Sequence, residues 1–228
     1  MRVLGQPALV VHVRAYRETS VIVRLFTPAH GLIAGVVKGV RGRRSTRIAA
    51  LQPFNQVRVS WLGTGSLLTL TDIELDQRRM LHGQRLAAGF YVLELLVRLL
   101  QEHDAHPSLY RLSQAVLGAM SDGLPLTPLL RRFEHELLSE LGFGVDFTCD
   151  LQGDPLDPEL RYELVAGESF VPVSSGGYSG AELLAIGVDD YRSGTVRHSA
   201  RLLFRELLDA HLGSKPLASR SLLTSTGS

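Results

Sequence analysis

Leu9, Val11 and Val13 alternate with Val10, His12 and Arg14, and Val21, Val23 and Leu25 alternate with Ile22, Arg24 and Phe26. Leu32, Ala34 and Val36 alternate with Ile33, Gly35 and Val37, and Val57, Val59 and Trp61 with Arg58 and Ser60. Leu67 to Thr71 completes the set. A period of two marks strands, because successive side chains point to opposite faces. Thr27-Pro28-Ala29-His30-Gly31 and Gly63-Thr64-Gly65-Ser66 supply turn chemistry between them. Five short strands in the first third of the chain predict a small closed barrel. The five-stranded barrel that binds oligonucleotides, the OB-fold, is the natural candidate. Strand count alone fits an SH3-like barrel as well.

Beyond Thr71 the period changes. Leu86, Phe90, Leu93, Val97 and Leu100 recur at helical spacing, as do Leu109, Leu112, Val116 and Met120. Thr127 before Pro128 predicts an N-cap with proline at the first helical position. Leu130, Phe133, Leu137 and Leu141 then share a face, and Gly142 stands where a C-cap belongs. Ser179 and Glu182 have capping-box spacing. Val196, Ala200, Leu203 and Leu207 mark a last helix that stops at Gly213, before Pro216. The fold class is therefore α+β: a barrel over residues 1–78, then a helical domain over 79–218. Residues 143–178 read as an irregular loop or hairpin insertion, with short strands expected at Arg161–Val165 and Ser169–Val173. Residues 219–228 are expected to fray.

Charge changes the picture. The chain has 24 basic and 23 acidic side chains, yet residues 1–71 hold ten basic groups and only Glu18 as an acid, a net of +9. The remainder holds 14 basic and 22 acidic groups, a net of −8. Skewed usage on a solvated surface is one reading. A polyanionic partner is the other, and nine net charges on so short a segment would repel one another without one. No run of 18 uncharged apolar residues occurs, so no transmembrane span is expected. The apolar stretch Val3 to Val11 is broken by Gln6 and Pro7 and lacks a cleavage site, so a soluble cytoplasmic protein is expected. Cys149 is the single cysteine, which excludes an internal disulfide framework and a multi-cysteine zinc site.

Catalytic motifs are absent. The chain has no Gly-x4-Gly-Lys-Ser/Thr loop, no Gly-x-Gly-x-x-Gly turn and no Gly-x-Ser-x-Gly elbow. His103, Asp104 and His106 fall between two expected helices without a further His or Cys nearby, which fits a solvated loop better than a metal site. A hydrolase using His103 and His106 is the enzyme reading that remains. The expectation is a non-enzyme without cofactor or metal.

The basic segment carries more. Lys38-Gly39-Val40-Arg41-Gly42-Arg43-Arg44-Ser45-Thr46-Arg47 is a glycine-interleaved loop without an acid. Guanidinium groups suit phosphate, and glycines let backbone amides approach the same oxygens. Arg14, Arg24 and Arg58 fall on outward strand positions and extend the path. Such a loop between barrel strands can follow a nucleic-acid backbone without reading sequence. Tyr16, beside Arg14 and Arg17, is the best stacking ring, whereas Phe26, Phe54 and Trp61 fit the core. In the helical part, Arg131 and Arg132 interrupt an apolar helix, and Arg197, Arg201 and Arg205 stand four apart. Two arginine groups beside an apolar groove could receive an acidic, hydrophobic peptide tail. Ordinary surface pairing, such as Arg132 with Glu136, explains the same spacing.

A set of short motifs begins with Val11-His12, Glu18-Thr19-Ser20, Phe26-Thr27, His30-Gly31, Lys38-Gly39 and Leu51-Gln52-Pro53-Phe54. It continues through Gly89-Phe90-Tyr91, Glu94-Leu95-Leu96, Leu130-Arg131-Arg132-Phe133-Glu134 and Leu141-Gly142-Phe143-Gly144-Val145-Asp146-Phe147. Leu212-Gly213-Ser214-Lys215-Pro216-Leu217 with Ser219-Arg220 ends it. These motifs give the chain a resemblance to the RecO family of bacterial recombination mediators. The resemblance implies an OB-fold followed by a helical domain, binding of single- and double-stranded DNA, annealing of complementary strands, and a nucleoid-associated place in the cytoplasm. It also implies partnership with RecR, indirect loading of RecA, and docking of the acidic tail of single-stranded DNA-binding protein (SSB). By position, Arg131 and Arg197 are the implied tail-binding residues, with Arg132 and Arg201 beside them. A protein adaptor for SSB and RecR, with only incidental DNA contact, is the alternative. Some relatives carry four zinc-binding cysteines after the Gly-Phe-Gly stretch. Only Cys149 stands there in this chain, which implies a metal-free loop.

Overall fold

The computed structural model describes residues 1–40, 46–165 and 168–225. The strands expected from alternation form. They are β1 (Arg2–Tyr16), β2 (Ser20–Thr27), β3 (Gly31–Val37), β4 (Gln56–Leu62) and β5 (Leu68–Gln77), with the short helix α1 (Thr46–Ala50) between β3 and β4. They close into a barrel of order β1-β2-β3-β5-β4, in which only β3 and β5 run parallel. Ala8, Val10, Val23, Leu25, Ile33, Val57, Val59, Trp61 and Leu70 fill the interior. Gly35 is required there, because a Cβ would stand 2.7 Å from Leu70 Cγ.

The helices are α2 (Gly83–Leu99), α3 (Pro107–Ser121), α4 (Leu126–Glu140), α5 (Gly180–Gly187), α6 (Gly194–Leu212) and α7 (Ala218–Ser225). Strands β6 (Arg161–Val165), β7 (Ser169–Val173) and β8 (Tyr178–Ser179) make a three-stranded sheet of order β7-β6-β8. The expected hairpin thus forms at its expected residues and gains a third strand.

Compactness divides the chain after Leu124. One unit comprises Met1–Leu124 with Leu217–Ser228, and the other Pro125–Pro216. The barrel therefore shares its unit with α2, α3 and α7. Phe26 of β2 meets Tyr110 of α3 edge-on, with ring centroids 5.7 Å apart. Buried Arg79 ties the junction. Its backbone N–H donates to Asn55 Oδ1 and its guanidinium donates to the Phe54 carbonyl and Gln77 Oε1. Burial pushes the Tyr110 phenol up to about 12, against the nearby Arg79 charge. In the second unit α6 packs on α4 and α5, with Phe133, Leu137, Leu203 and Phe204 buried.

Three local expectations are corrected. Helix α4 begins at Leu126 with Pro125 as N-cap, two residues ahead of the expected cap Thr127. Ser179 does cap α5, but its side chain makes no capping bond, and Glu182 instead accepts from the Ser199 hydroxyl at 2.7 Å. The segment expected to fray from Ser219 is helical to Ser225. The reason is Glu94 on α2. Its carboxylate accepts from the Ala218 N–H at 2.9 Å, the Ser219 N–H at 2.8 Å and the Ser219 hydroxyl at 2.5 Å. A carboxylate there also suits the positive end of a helix.

Burial raises the Glu94 pKa, but the bonds from Ser219 and Ala218 and the Arg98 charge outweigh it and hold it below the ordinary value. A depressed acid stabilises the fold above its unfolded pKa, near 4.3, and loses that contribution as pH falls through the folded value. Glu94→Ala is expected to cost about 1–2 kcal/mol, since the site is half-exposed. Hydrogen exchange should show residues 218–225 losing protection in the variant at pH 7, and in the native protein below about pH 4.

Candidate nucleic-acid interface and peptide groove

Strand register decides which basic residues share a surface. His12 faces Arg24, Arg14 faces Ile22 and Tyr16 faces Ser20 across β1 and β2. Arg24 faces Ala34 and Ile22 faces Val36 across β2 and β3, and Val36 faces Thr69 of β5. Directly opposed residues lie on one side of a sheet, so all of these belong to the outer face. There they form two neighbouring grooves. One, of about 490 Å³, is lined by His12, Arg14, Ile22, Arg24, Ala34, Ser66, Leu67 and Glu102. The other, of about 720 Å³, is lined by Tyr16, Arg17, Glu18, Thr19, Ser20, Val36, Lys38, Leu67 and Thr69. Leu67 borders both.

Turns hold the rims. The β1–β2 turn places Arg17 at φ +52°, and its guanidinium lies 5.1 Å from the centre of the Tyr16 ring. The Val40 N–H donates to the Thr19 carbonyl at 2.9 Å, and Val40 is fully buried, which fixes the start of the basic loop against that turn. Lys38 is thereby held at the groove edge.

The candidate DNA contacts divide accordingly. Arg14, Arg24 and Lys38 come together on this face. Arg24 is ion-paired to Glu102 at 2.7 Å. Arg58 points outward on β4, paired with Asp76 at 3.5 Å, and lines neither groove. Arg47 is exposed on α1 and lines neither. Arg41, Arg43 and Arg44 lie outside the described residues. Tyr16 is half-buried beside Arg17, while Phe26, Phe54 and Trp61 are core residues. Sequence reading did not select Arg17, Leu67 or Glu102 for this surface. The turn signal at Gly63–Ser66 could have drawn attention to Leu67. Nothing local could have done so for Glu102, which arrives from the α2–α3 connection.

The second unit has a groove of about 870 Å³. Pro125, Leu126, Thr127 and Pro128 line one side and Val188 to Arg192 with Arg197 the other. Arg197 donates to the carbonyls of Tyr191 and Arg192, which tethers its guanidinium to the α5–α6 loop. Arg132 is exposed, 3.8 Å from Asp189. Asp189 accepts from His135 at 3.0 Å and from the Tyr191 hydroxyl at 2.9 Å. Burial raises its pKa, but these bonds and the neighbouring charges outweigh that and hold it low. Arg192 holds Asp190 down to about 2. Arg201 is exposed on α6, and Arg205 pairs with Asp209. Arg131 differs from the expectation. It is 7% exposed, donates to buried Glu134 at 2.7 Å and does not line the groove. Burial, Asp189 and Glu134 push the Tyr191 phenol far up, and Arg131 opposes them.

Among the described residues, no group of three or more His, Cys, Asp or Glu is arranged to hold a metal ion. His106 reaches Asp104 at 3.3 Å. Cys149 donates to Asp146, whose carboxylate also takes the Thr148 N–H and hydroxyl. No described helix is long and apolar enough to cross a membrane.

The closed barrel, with its parallel β3–β5 pair and the helices after it, defines an α+β protein built on an OB-fold. Residues 1–78 match the family Recombination protein O N terminal, and residues 80–221 match Recombination protein O C terminal. The chain is 40% identical to the DNA repair protein RecO of Stutzerimonas stutzeri, covering 96% of this chain and 93% of that one. It is 40% identical to the DNA repair protein RecO of Cellvibrio japonicus over 98% of both chains. It is 37% identical to that of Laribacter hongkongensis over 97% and 94%. The chain belongs to the RecO family of DNA repair and recombination proteins.

Proposed function

We propose that this protein binds DNA on the β1–β2–β3 face of the barrel, anneals complementary strands and, with RecR, helps load RecA onto strands coated by SSB. The observation that carries the reading is the convergence of Arg14, Arg24 and Lys38 on one grooved face between the β1–β2 and β4–β5 turns. Those turns and that face are where OB-folds hold oligonucleotides. Arginine and lysine there contact phosphate and carry no base readout, so binding is insensitive to sequence. Base pairing between two held strands needs no nucleophile or general base, so the activity is non-enzymatic.

The SSB tail, acidic and apolar, fits the groove of the second unit. Leu126 and Val188 offer apolar surface, and Arg197, with Arg132 and Arg201 outside it, offers positive charge. Arg131 does not line that groove, but its charge acts on Tyr191, which does.

Duplex affinity is expected to fall with salt at a slope of roughly −0.9 per neutralised phosphate, and on single strands roughly −0.7. Affinity that stays level between low and moderate salt overturns the basic-face reading. Annealing of coated and bare oligonucleotides by an Arg132→Ala/Arg197→Ala/Arg201→Ala variant tests the second site. Bare-strand annealing should persist while coated-strand annealing drops. Equal performance on both removes the tail site from this groove. Loss of coated annealing together with full tolerance of substitutions on the barrel face would favour the adaptor reading.

A further inference from the structure

The proposed DNA face contains an acid brought to it from outside the barrel. Glu102 lies on the connection between α2 and α3, and that connection is fastened to the start of β3. Glu102 forms an isolated parallel bridge with Leu32, and the His103 N–H donates to the Leu32 carbonyl at 3.0 Å. Gly31 has φ +59°, and a Cβ there would stand 1.9 Å from the Asp104 carbonyl oxygen, so the two backbones touch. His103 itself takes φ +66° to make the turn. The backbone of Glu102 is thus fixed beside the sheet. Its carboxylate meets Arg24 at 2.7 Å in the groove that also holds His12 and Arg14. Both side chains keep about a third of their exposure, 35% and 37%.

We infer that Glu102 is a built-in competitor of phosphate for Arg24 and sets how tightly this face holds DNA. The inference rests on the reading of this face as the DNA site. A pair so exposed is weak enough for phosphate to open. The carboxylate released by that exchange then takes up a cation from solution. That uptake offsets the counterion set free when Arg24 neutralises a phosphate. The native protein therefore holds DNA less tightly, and with a shallower salt slope, than its arginine and lysine positions would give alone. Weaker holding keeps strands exchangeable, which annealing requires.

Glu102→Gln keeps the size of the side chain and removes its charge. Single-strand affinity is expected to rise roughly two- to fivefold at low salt, the range open to an exposed pair. The salt slope should steepen by about 0.7. Glu102→Ala should behave in the same direction, and an unchanged melting temperature shows that either variant is folded. Unchanged or weaker binding, or an unchanged slope, overturns the inference and makes Glu102 a support that orients Arg24. Arg14→Ala/Lys38→Ala, measured in parallel, separates the two levels. If that variant binds like the native protein, the DNA face itself is misplaced. If it binds weakly while Glu102→Gln gains nothing, only the competitor role fails.

Discussion

Arg131→Ala is expected to destabilise the second unit by about 3–5 kcal/mol, the cost of breaking a buried ion pair by removing one partner. Arg131 is 7% exposed and Glu134 1%, and they meet at 2.7 Å within one turn of α4. Removing the guanidinium takes a cationic partner away from the buried Glu134 carboxylate, in a setting that also contains the Tyr191 phenol. Thermal unfolding at pH 7 should show the loss directly. Arg131→Met/Glu134→Leu removes both charges and should recover most of it, because apolar replacements of similar volume often match a buried pair. This double variant also decides the role of Arg131 at the peptide groove. If it still captures an acidic tail peptide, Arg131 acts through packing. If it folds and fails to capture, the guanidinium itself meets the tail. The single alanine variant cannot make that distinction, since unfolding and lost binding look alike in it.

Arg14→Ala/Lys38→Ala should weaken DNA binding by roughly 30- to 100-fold at about 50 mM salt, with the single-strand salt slope shallower by about 1.4. The two side chains stand on adjoining grooves of one face. Arg47→Ala/Arg58→Ala removes the same formal charge from positions that line neither groove, and one of those is already paired with Asp76. It should cost much less. Fluorescence anisotropy with a labelled oligonucleotide over a salt series compares the two variants. Equal losses would mean that total charge, and not this face, binds DNA.

Much of this was legible along the chain. Alternation located all five barrel strands because one face of each is buried and the other wet, and burial of that kind leaves a period in sequence. The helical spacing in α2, α4 and α6 is visible for the same reason, and Gly142, the residue after the C-cap Leu141, takes the φ of +75° that favours glycine there. The excess of positive charge in the barrel segment is likewise a property of the sequence alone. Alternation places Arg14, Arg24 and Arg58 on outward strand positions, yet Arg58 lines neither groove. Period two assigns a side chain to the outside of a strand, but a closed barrel has an outside all the way round.

Sequence by itself thus determined the five barrel strands, the β6–β7 hairpin, helices α2 to α6, their order, most core positions and the segment carrying excess positive charge, because each depends on near neighbours. Tertiary structure alone decided the rest. Strand register gathered Arg14, Arg24 and Tyr16 onto one face and left Arg58 on another, and the Val40–Thr19 backbone bond held Lys38 beside the first three. Burial turned Arg131 from a surface charge into half of an internal pair. The Glu94 carboxylate made a helix of a tail 124 residues away, and the α2–α3 connection delivered Glu102 to Arg24 across 78 residues. Charge and hydrogen bonding act through space, and no period along a chain records which distant segment supplies the partner.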